Sequence, residues 1–178
     1  GALYQWGRLA DGHESRTSGS TMTVSTTDIP ENSNFICTTF NLFDWRDPQN
    51  DKLWNAGTEI APVKAANDPS PEGYRVPTAT EIDKLLDANK VTEQWTTLNG
   101  AYGYRFTDKA SGNSLFFPAA GGRGNYAPQL YNVGTDGYYW SSSVSNLLDA
   151  SELNFGSGYV YRTRAVRSIG KSIRPVAE

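Results

Sequence analysis

The chain has 178 residues, of which 38% are hydrophobic and 20% charged, so it is long enough and apolar enough to bury a core. Its formal net charge of −3 gives no electrostatic footprint for nucleic acid or for an anionic membrane surface. No apolar run approaches the roughly 18 residues that a membrane span needs, and the first residues lack the features of a signal peptide. We therefore expect no nucleic-acid partner and no direct membrane insertion.

Two short β-like runs come first along the chain, at residues 3–7 and 35–40. The irregular stretches 9–34 and 41–76 lie around them. Loops of this length inside a compact domain are usually functional or packed on themselves. They are therefore the first places to look for a binding site.

The second run contains Cys37, the only cysteine, so the chain has no internal disulfide and no thiolate metal cluster. In an alternating strand Cys37 shares a face with Phe35, which predicts a small buried thiol. A catalytic cysteine usually needs a base, and the only histidine, His13, lies in a distant polar segment. We expect an unreactive thiol.

One helix is predicted clearly, at residues 78–87. Thr78 and Glu81 have the spacing of a capping box. Apolar side chains then follow at i, i+3 and i+4, namely Ile82, Leu85 and Leu86. The pattern predicts about three turns of helix.

After the helix, short β-like runs alternate with turn residues. They cover residues 102–107, 114–118, 138–144, 150–155, 159–166 and 172–176, with an irregular stretch at 119–137. The first two flank a turn at 109–113 and predict a hairpin. A loose cluster of basic residues near the C-terminus is interpreted as the solvent-facing side of strands, and its members are Arg162, Arg164, Arg167, Lys171 and Arg174. One helix among many strands predicts the α+β class.

The segments that partly match enzyme or cofactor motifs lack residues that those motifs require. The glycine-rich residues 121–124 lack the Gly-Lys-Ser/Thr and the following helix of a phosphate loop. The serines at 141–143 lack a nucleophile elbow. We therefore expect no enzymatic activity, no catalytic residues and no cofactor.

The acidic segment at residues 44–51 contains three carboxylates and an asparagine. Hard oxygen ligands at this density could hold Ca²⁺, although the order of an EF-hand loop is missing. The same side chains also form hydrogen bonds to local backbone in turns. Both interpretations remain open from the sequence, and our prediction is that no metal is bound.

The aromatic residues are the most informative for function. The chain has five tryptophans and ten tyrosines, many in loops, and such side chains suit sugar or protein binding. The alternative is that they fill the core of a protein with few helices. The predicted ligand-binding residues come from two loops: Trp45, Asn50, Asp51 and Trp54 in one, and Asn125, Tyr126 and Tyr131 in the other.

Several segments, taken together and in order, resemble the Fibrobacter succinogenes major paralogous domain, which is common in surface and secreted proteins of Bacteroidetes. The matching segments are YQWGR at 4–8, DGHE at 11–14, DW at 44–45, PQNDKLW at 48–54, DPSPEGYRVPT at 68–78, FPAAG at 117–121, GYYWSSS at 137–143 and SIRPV at 172–176. They span almost the whole chain.

The resemblance implies a fold like that of C-type lectins and of the formylglycine-generating enzyme, in a single domain over residues 1–178. It also implies an extracellular or cell-surface location. Such a domain can form the C-terminal part of a longer surface or fimbria-like protein, beside a neighbouring domain. The calcium-binding triplets of the sugar-binding lectins and the reactive cysteines of the enzyme are absent here.

One departure from the family concerns its disulfide. Many relatives have cysteines where this chain has Ser70 and Pro175, and the resemblance implies that they join the loop before the helix to the last strand. Here packing must hold that closure, with Arg174 and Tyr74 as contributors.

The leading hypothesis from the sequence is a non-enzymatic, extracellular binding or adhesion module whose ligand is a glycan or a surface protein. The alternative is a structural or assembly module with no soluble ligand. An exposed cluster of tryptophans would favour binding, whereas burial of all five would favour the structural role.

Overall fold

The computed structural model describes residues 1–38 and 43–178. Within these ranges it contains twelve strands in five small sheets and one short helix, which confirms a mostly-β, α+β architecture. No helix in the described part of the chain is long and apolar enough to cross a membrane.

The elements follow one another as β1 (Ser20–Thr21), β2 (Phe35–Ile36), β3 (Tyr74–Arg75), α1 (Ala79–Leu85), β4 (Val91–Leu98), β5 (Ala101–Asp108), β6 (Ser114–Pro118), β7 (Gly122–Arg123), β8 (Leu130–Tyr131), β9 (Asp136–Val144), β10 (Asp149–Gly156), β11 (Tyr159–Val166) and β12 (Val176–Ala177). Two three-stranded antiparallel sheets, β4-β5-β6 and β9-β10-β11, form the main part of the fold. The strands predicted at 102–107, 114–118, 138–144, 150–155 and 159–166 are all confirmed.

Helix α1 begins at the predicted capping box. The Thr78 hydroxyl accepts a hydrogen bond from the Glu81 backbone N–H at 3.3 Å, and the Glu81 carboxylate accepts one from the Thr78 N–H at 2.9 Å. The helix is seven residues long, shorter than the three turns expected. It ends where the Leu86 N–H donates to the Asp83 carbonyl, a tighter i→i+3 bond that closes the last turn.

Three of the strand predictions need correction, those for residues 3–7, 35–40 and 172–176. Residues 3–7 do not form a strand, because their backbone bonds go to different segments: Tyr4 N–H donates to the Lys171 carbonyl at 2.7 Å and Trp6 N–H to the Arg167 carbonyl at 2.9 Å. In the run 35–40, β2 covers only its first two residues, and Thr39 and Phe40 lie outside the described residues. The run 172–176 is also mostly irregular, and its pairing starts at Val176.

Four of the five tryptophans are in the core, each almost fully buried. Their indole N–H groups donate to backbone carbonyls at 2.7 to 3.2 Å: Trp6 to Ser141, Trp45 to Trp6, Trp54 to Arg8 and Trp140 to Tyr4. A buried indole needs such a partner. These bonds connect distant segments of the chain, so the tryptophans pin its long loops to the core.

The segment before the helix is joined to the C-terminal residues by backbone pairing, and a lysine holds the segment itself together. Strand β12 pairs with β3, with Val176 opposite Arg75. The Lys64 ammonium donates to the carbonyls of Ser70, Pro71 and Tyr74 at 2.6 to 2.8 Å. The segment before the helix is thereby held beside the C-terminal residues.

Candidate functional site on the tyrosine face

The first predicted loop does not present aromatic rings to a ligand. Trp45 is 0% exposed and Trp54 is 1% exposed, so the prediction that they stack on a ligand is wrong. The Asn50 amide donates to the Asp28 carboxylate at 3.1 Å, and the Asp51 carboxylate pairs with Arg167 at 2.7 Å. These polar side chains hold the loop in place.

The second predicted loop is divided by the structure. Asn125 is buried, and its carbonyl accepts from the Thr38 N–H at 3.0 Å. Tyr126 is exposed, and Tyr131 lies on β8 beside Tyr138, with ring centroids 5.5 Å apart. The seven predicted residues therefore do not form one site. One of them, Tyr131, belongs to a cluster of aromatic residues.

That cluster lies at one end of one face of the β9-β10-β11 sheet and is called the tyrosine face here. It consists of Tyr131, Tyr138, Tyr159 and Tyr161, with Asn132, Asp136 and Asn154 between them. Residues directly opposite in an antiparallel sheet point to the same side. Tyr138, Asn154 and Tyr161 form one such row across the three strands.

The next row is Asp136, Gly156 and Tyr159, and here the glycine is required by the neighbouring ring. A Cβ on Gly156 would lie 2.8 Å from a ring carbon of Tyr159. Gly122 has the same relation to Tyr131, whose hydroxyl would be 2.4 Å from an added Cβ. Both tyrosines thus lie flat over backbone that carries no side chain.

The outer half of the face is open to solvent. Tyr159 is 39% exposed and Tyr161 is 47% exposed, and their ring centroids are 5.4 Å apart with 32° between the planes. Tyr138 is mostly buried beside them. The face therefore offers two adjacent, accessible aromatic surfaces on a rigid sheet.

Polar groups lie between these rings. The Asn132 amide donates to the Tyr138 hydroxyl at 2.7 Å, and the Tyr159 hydroxyl donates to the Asp136 carboxylate. The Asn154 side-chain oxygen is buried without a hydrogen-bond partner among the described residues. This oxygen is shielded from solvent by its neighbours and is therefore not open to a ligand in this conformation.

Beneath the face lies a buried ion pair, in which the Lys171 ammonium donates to the Glu152 carboxylate. The ammonium also lies 5.2 Å from the ring centroid of Tyr138 and 4.7 Å from that of Trp140. Burial raises the pKa of Glu152 and lowers the pKa of Lys171. The prediction that Lys171 faces solvent is wrong, because its charge is compensated inside the protein.

The phenol groups are suited to hydrogen bonding and not to proton transfer near neutral pH. The hydrogen bond to Asp136 and partial burial hold the pKa of Tyr159 well above its ordinary value. Burial, with the nearby Glu152, does the same for Tyr131 and Tyr138. Each of these phenols therefore loses its proton less readily than a free tyrosine does.

A second polar cluster near the N-terminus brings together Asp11, His13 and Glu14, residue types that can ligate metals. The His13 Nε2 accepts from the Gln5 backbone N–H at 3.1 Å, and its Nδ1 lies 2.7 Å from the Asp11 carboxylate. Both ring nitrogens are therefore engaged, with the proton on Nδ1. Burial lowers the pKa of His13, which keeps the ring neutral. The cluster anchors the N-terminal segment.

The sequence contained part of the signal for the tyrosine face. Tyr159 and Tyr161 alternate in a predicted strand, which places them on one side of it. Their neighbours Tyr138 and Asn154 follow only from the register across three strands, which the sequence does not fix.

Comparisons of this chain with protein-family models, with curated proteins and with solved structures found no match.

Proposed function

We propose that this chain is a non-enzymatic, extracellular carbohydrate-binding module and that the glycan binds on the tyrosine face. The observation that carries the proposal is the pair of adjacent, exposed rings of Tyr159 and Tyr161. Sugars have apolar ring faces and many hydroxyl groups. Aromatic surfaces flanked by carboxylate and amide groups match both features.

The pattern of partners favours a sugar over a charged ligand. The charges nearest the face are used internally, since Lys171 pairs with Glu152 and the Asp136 carboxylate accepts from Tyr159 and, at 2.6 Å, from Thr135. The groups left for a ligand are ring faces, phenol hydroxyls and the spare lone pairs of an acid. A neutral saccharide uses these without an unpaired charge.

The fold is proposed to be C-type-lectin-like, in keeping with the family that the sequence resembles. Support comes from the single short helix, the small sheets and the long loops anchored by buried tryptophans. The extracellular or cell-surface location and the place in a longer surface protein are proposed on the same resemblance.

The test is a glycan array followed by single-site variants. Tyr159→Ala and Tyr161→Ala should each weaken binding of the best array hit by about tenfold, because each removes one stacking surface. Tyr126→Ala is the matched control, since it removes an exposed tyrosine from the loop that the sequence favoured. Loss of binding in the control alone would move the site to that loop and contradict the proposal.

A structural or assembly role is the second candidate, and the burial of four tryptophans favours it. Under that role the array would give no hit, and the protein would instead capture a neighbouring domain in a pull-down. Glycan binding that survives substitution of both Tyr159 and Tyr161 would contradict the proposed site without supporting this second function.

A further inference from the structure

The sheet that carries the tyrosine face has a cavity of about 310 Å³ on its opposite side. Leu153 and Tyr139 line this cavity, and they alternate along their strands with Asn154 and Tyr138 of the tyrosine face. Helix α1, strand β6 and the C-terminal residues form its other walls. The cavity is therefore separate from the proposed glycan site.

The cavity is lined mainly by apolar side chains, among them Ile82, Leu85, Leu115, Phe117, Tyr139 and Leu153. Leu115 is exposed at its rim. Its volume is near the lower end of the range for small-molecule sites. An apolar body of a few carbon atoms would be removed from water on entering, which favours binding.

Two polar groups along the lining are engaged within the protein, and two are not. The Glu81 carboxylate makes two bonds to Arg75, at 2.6 and 2.7 Å, and also caps the helix. The Tyr139 hydroxyl donates to the Pro118 carbonyl at 2.8 Å. The Tyr74 hydroxyl and the guanidinium of Arg174, both on exposed residues at the edge of the cavity, have no hydrogen bond or ion pair with any described residue.

The Arg174 side chain lies where it could receive an anion. Its guanidinium carbon is 5.9 Å from the centroid of Phe117, a residue of the cavity wall. Arginine recognises carboxylates through two parallel N–H···O bonds, which also fix the orientation of the bound group. A free guanidinium next to an apolar cavity thus selects a ligand with both an apolar part and a negative group.

We propose that this cavity binds a small apolar carboxylate, with its hydrocarbon part inside and its carboxylate paired with Arg174. A saccharide does not fit this environment, because its many hydroxyl groups would face a mainly apolar wall whose unpaired polar groups are only the Tyr74 hydroxyl and Arg174 among the described residues. A neutral hydrocarbon would leave Arg174 unused. The proposal is independent of the glycan-binding function, since the two sites share no side chain.

The test uses octanoate as the probe and 1-octanol as its neutral counterpart, with binding measured by ligand-observed NMR. Octanoate should bind the wild-type protein more tightly than 1-octanol. Arg174→Gln should weaken octanoate binding by about tenfold and leave 1-octanol unchanged, because only the charged pair is lost. Arg164→Gln, an exposed arginine on β11, is the matched control and should change neither.

A second variant tests the rim. Leu115→Glu places a carboxylate at the mouth of the cavity, where it should repel octanoate strongly and affect 1-octanol less. Melting curves of all variants confirm that they are folded. The proposal is overturned if octanoate does not bind the wild-type protein, if Arg174→Gln leaves its affinity unchanged, or if that variant weakens both probes equally.

Discussion

Asp44 has a carboxylate that is almost completely buried and lies 3.6 Å from the guanidinium of Arg167. Burial raises its pKa to about 6, although Arg167 and local hydrogen bonds act in the opposite direction. The native state therefore binds a proton at Asp44 more tightly than the unfolded chain does. Stability gained from this proton is present at low pH and is lost as the pH rises through 6.

The prediction is that the folded protein loses about 2 kcal/mol of this contribution between pH 4.5 and pH 7.5. Asp44→Asn removes the titrating group, so the variant should gain in stability relative to wild type as the pH is raised over that range. Urea unfolding of both proteins at pH 4.5 and 7.5 measures the difference. Asp47→Asn, at an exposed position of the same segment, is the control. Equal pH dependence in wild type and Asp44→Asn would contradict the prediction.

Cys37 illustrates a residue whose environment could be predicted from its neighbours. Its side chain is buried, as the alternation with Phe35 indicated, and burial raises the pKa of its thiol despite the nearby Arg123. A protonated, inaccessible thiol reacts slowly.

We expect almost no labelling of the native protein by a thiol reagent and about one thiol per chain after denaturation. Comparison of the two conditions at constant pH gives the result directly. Rapid labelling of the native protein would show that Cys37 is accessible and that the burial is incorrect.

At the level of elements, helix α1 depends on its first turn. Thr78 is completely buried and provides the cap, and the Ala79 backbone N–H donates to the Ser143 hydroxyl of β9 at 2.8 Å. The helix start is therefore tied to the sheet as well as to its own cap.

Thr78→Ala should lower the free energy of unfolding by about 1 to 2 kcal/mol, because the Glu81 N–H loses its acceptor. Thr78→Ser keeps the hydroxyl and should cost clearly less. Chemical denaturation of the two variants separates the cap from packing of the methyl group. If both lose the same stability, packing of the methyl group and not the cap is the cause.

The elements also show where sequence patterns succeed. Strands β5, β6 and β9 to β11 were predicted because apolar and polar side chains alternate between turn residues. Strand β4 was missed, since Glu93 and Gln94 are both exposed and the strand has polar residues on both sides.

Trp45 and Trp54 were predicted to be exposed but are buried. The carbonyls that accept their indole N–H groups belong to residues far away in the sequence, so local patterns do not reveal them. The tyrosine face escaped prediction for a similar reason, because it depends on cross-strand register.

At the scale of the whole molecule, one sheet separates two surfaces of different chemistry. One end of one face carries aromatic rings and hydrogen-bonding groups, whereas the opposite face lines the cavity beside Arg174. A bound glycan and a bound carboxylate would thus lie on opposite sides of β9 and β10.

The contact between the segment before helix α1 and the C-terminal residues gives a test of the family resemblance. Pro69, Pro71 and Pro175 line one common cavity, so the segment around Ser70 faces the C-terminal residues. If the fold is that of the family which the sequence resembles, cysteines introduced at positions 70 and 175 should form the disulfide that this resemblance implies. The bond would close a loop of about 100 residues and restrict the unfolded chain.

We expect the double variant Ser70→Cys/Pro175→Cys, made with Cys37→Ala, to form this disulfide on oxidation and to gain about 2 to 4 kcal/mol in the free energy of unfolding. The reduced form of the same variant is the control, because it carries the same substitutions without the bond. Mass spectrometry identifies the bond and urea denaturation measures its effect. A variant that stays reduced, or that is less stable when oxidised, would show that the resemblance does not extend to this closure. Formation with the expected gain would support the C-type-lectin-like fold through a contact between segments more than half the chain apart.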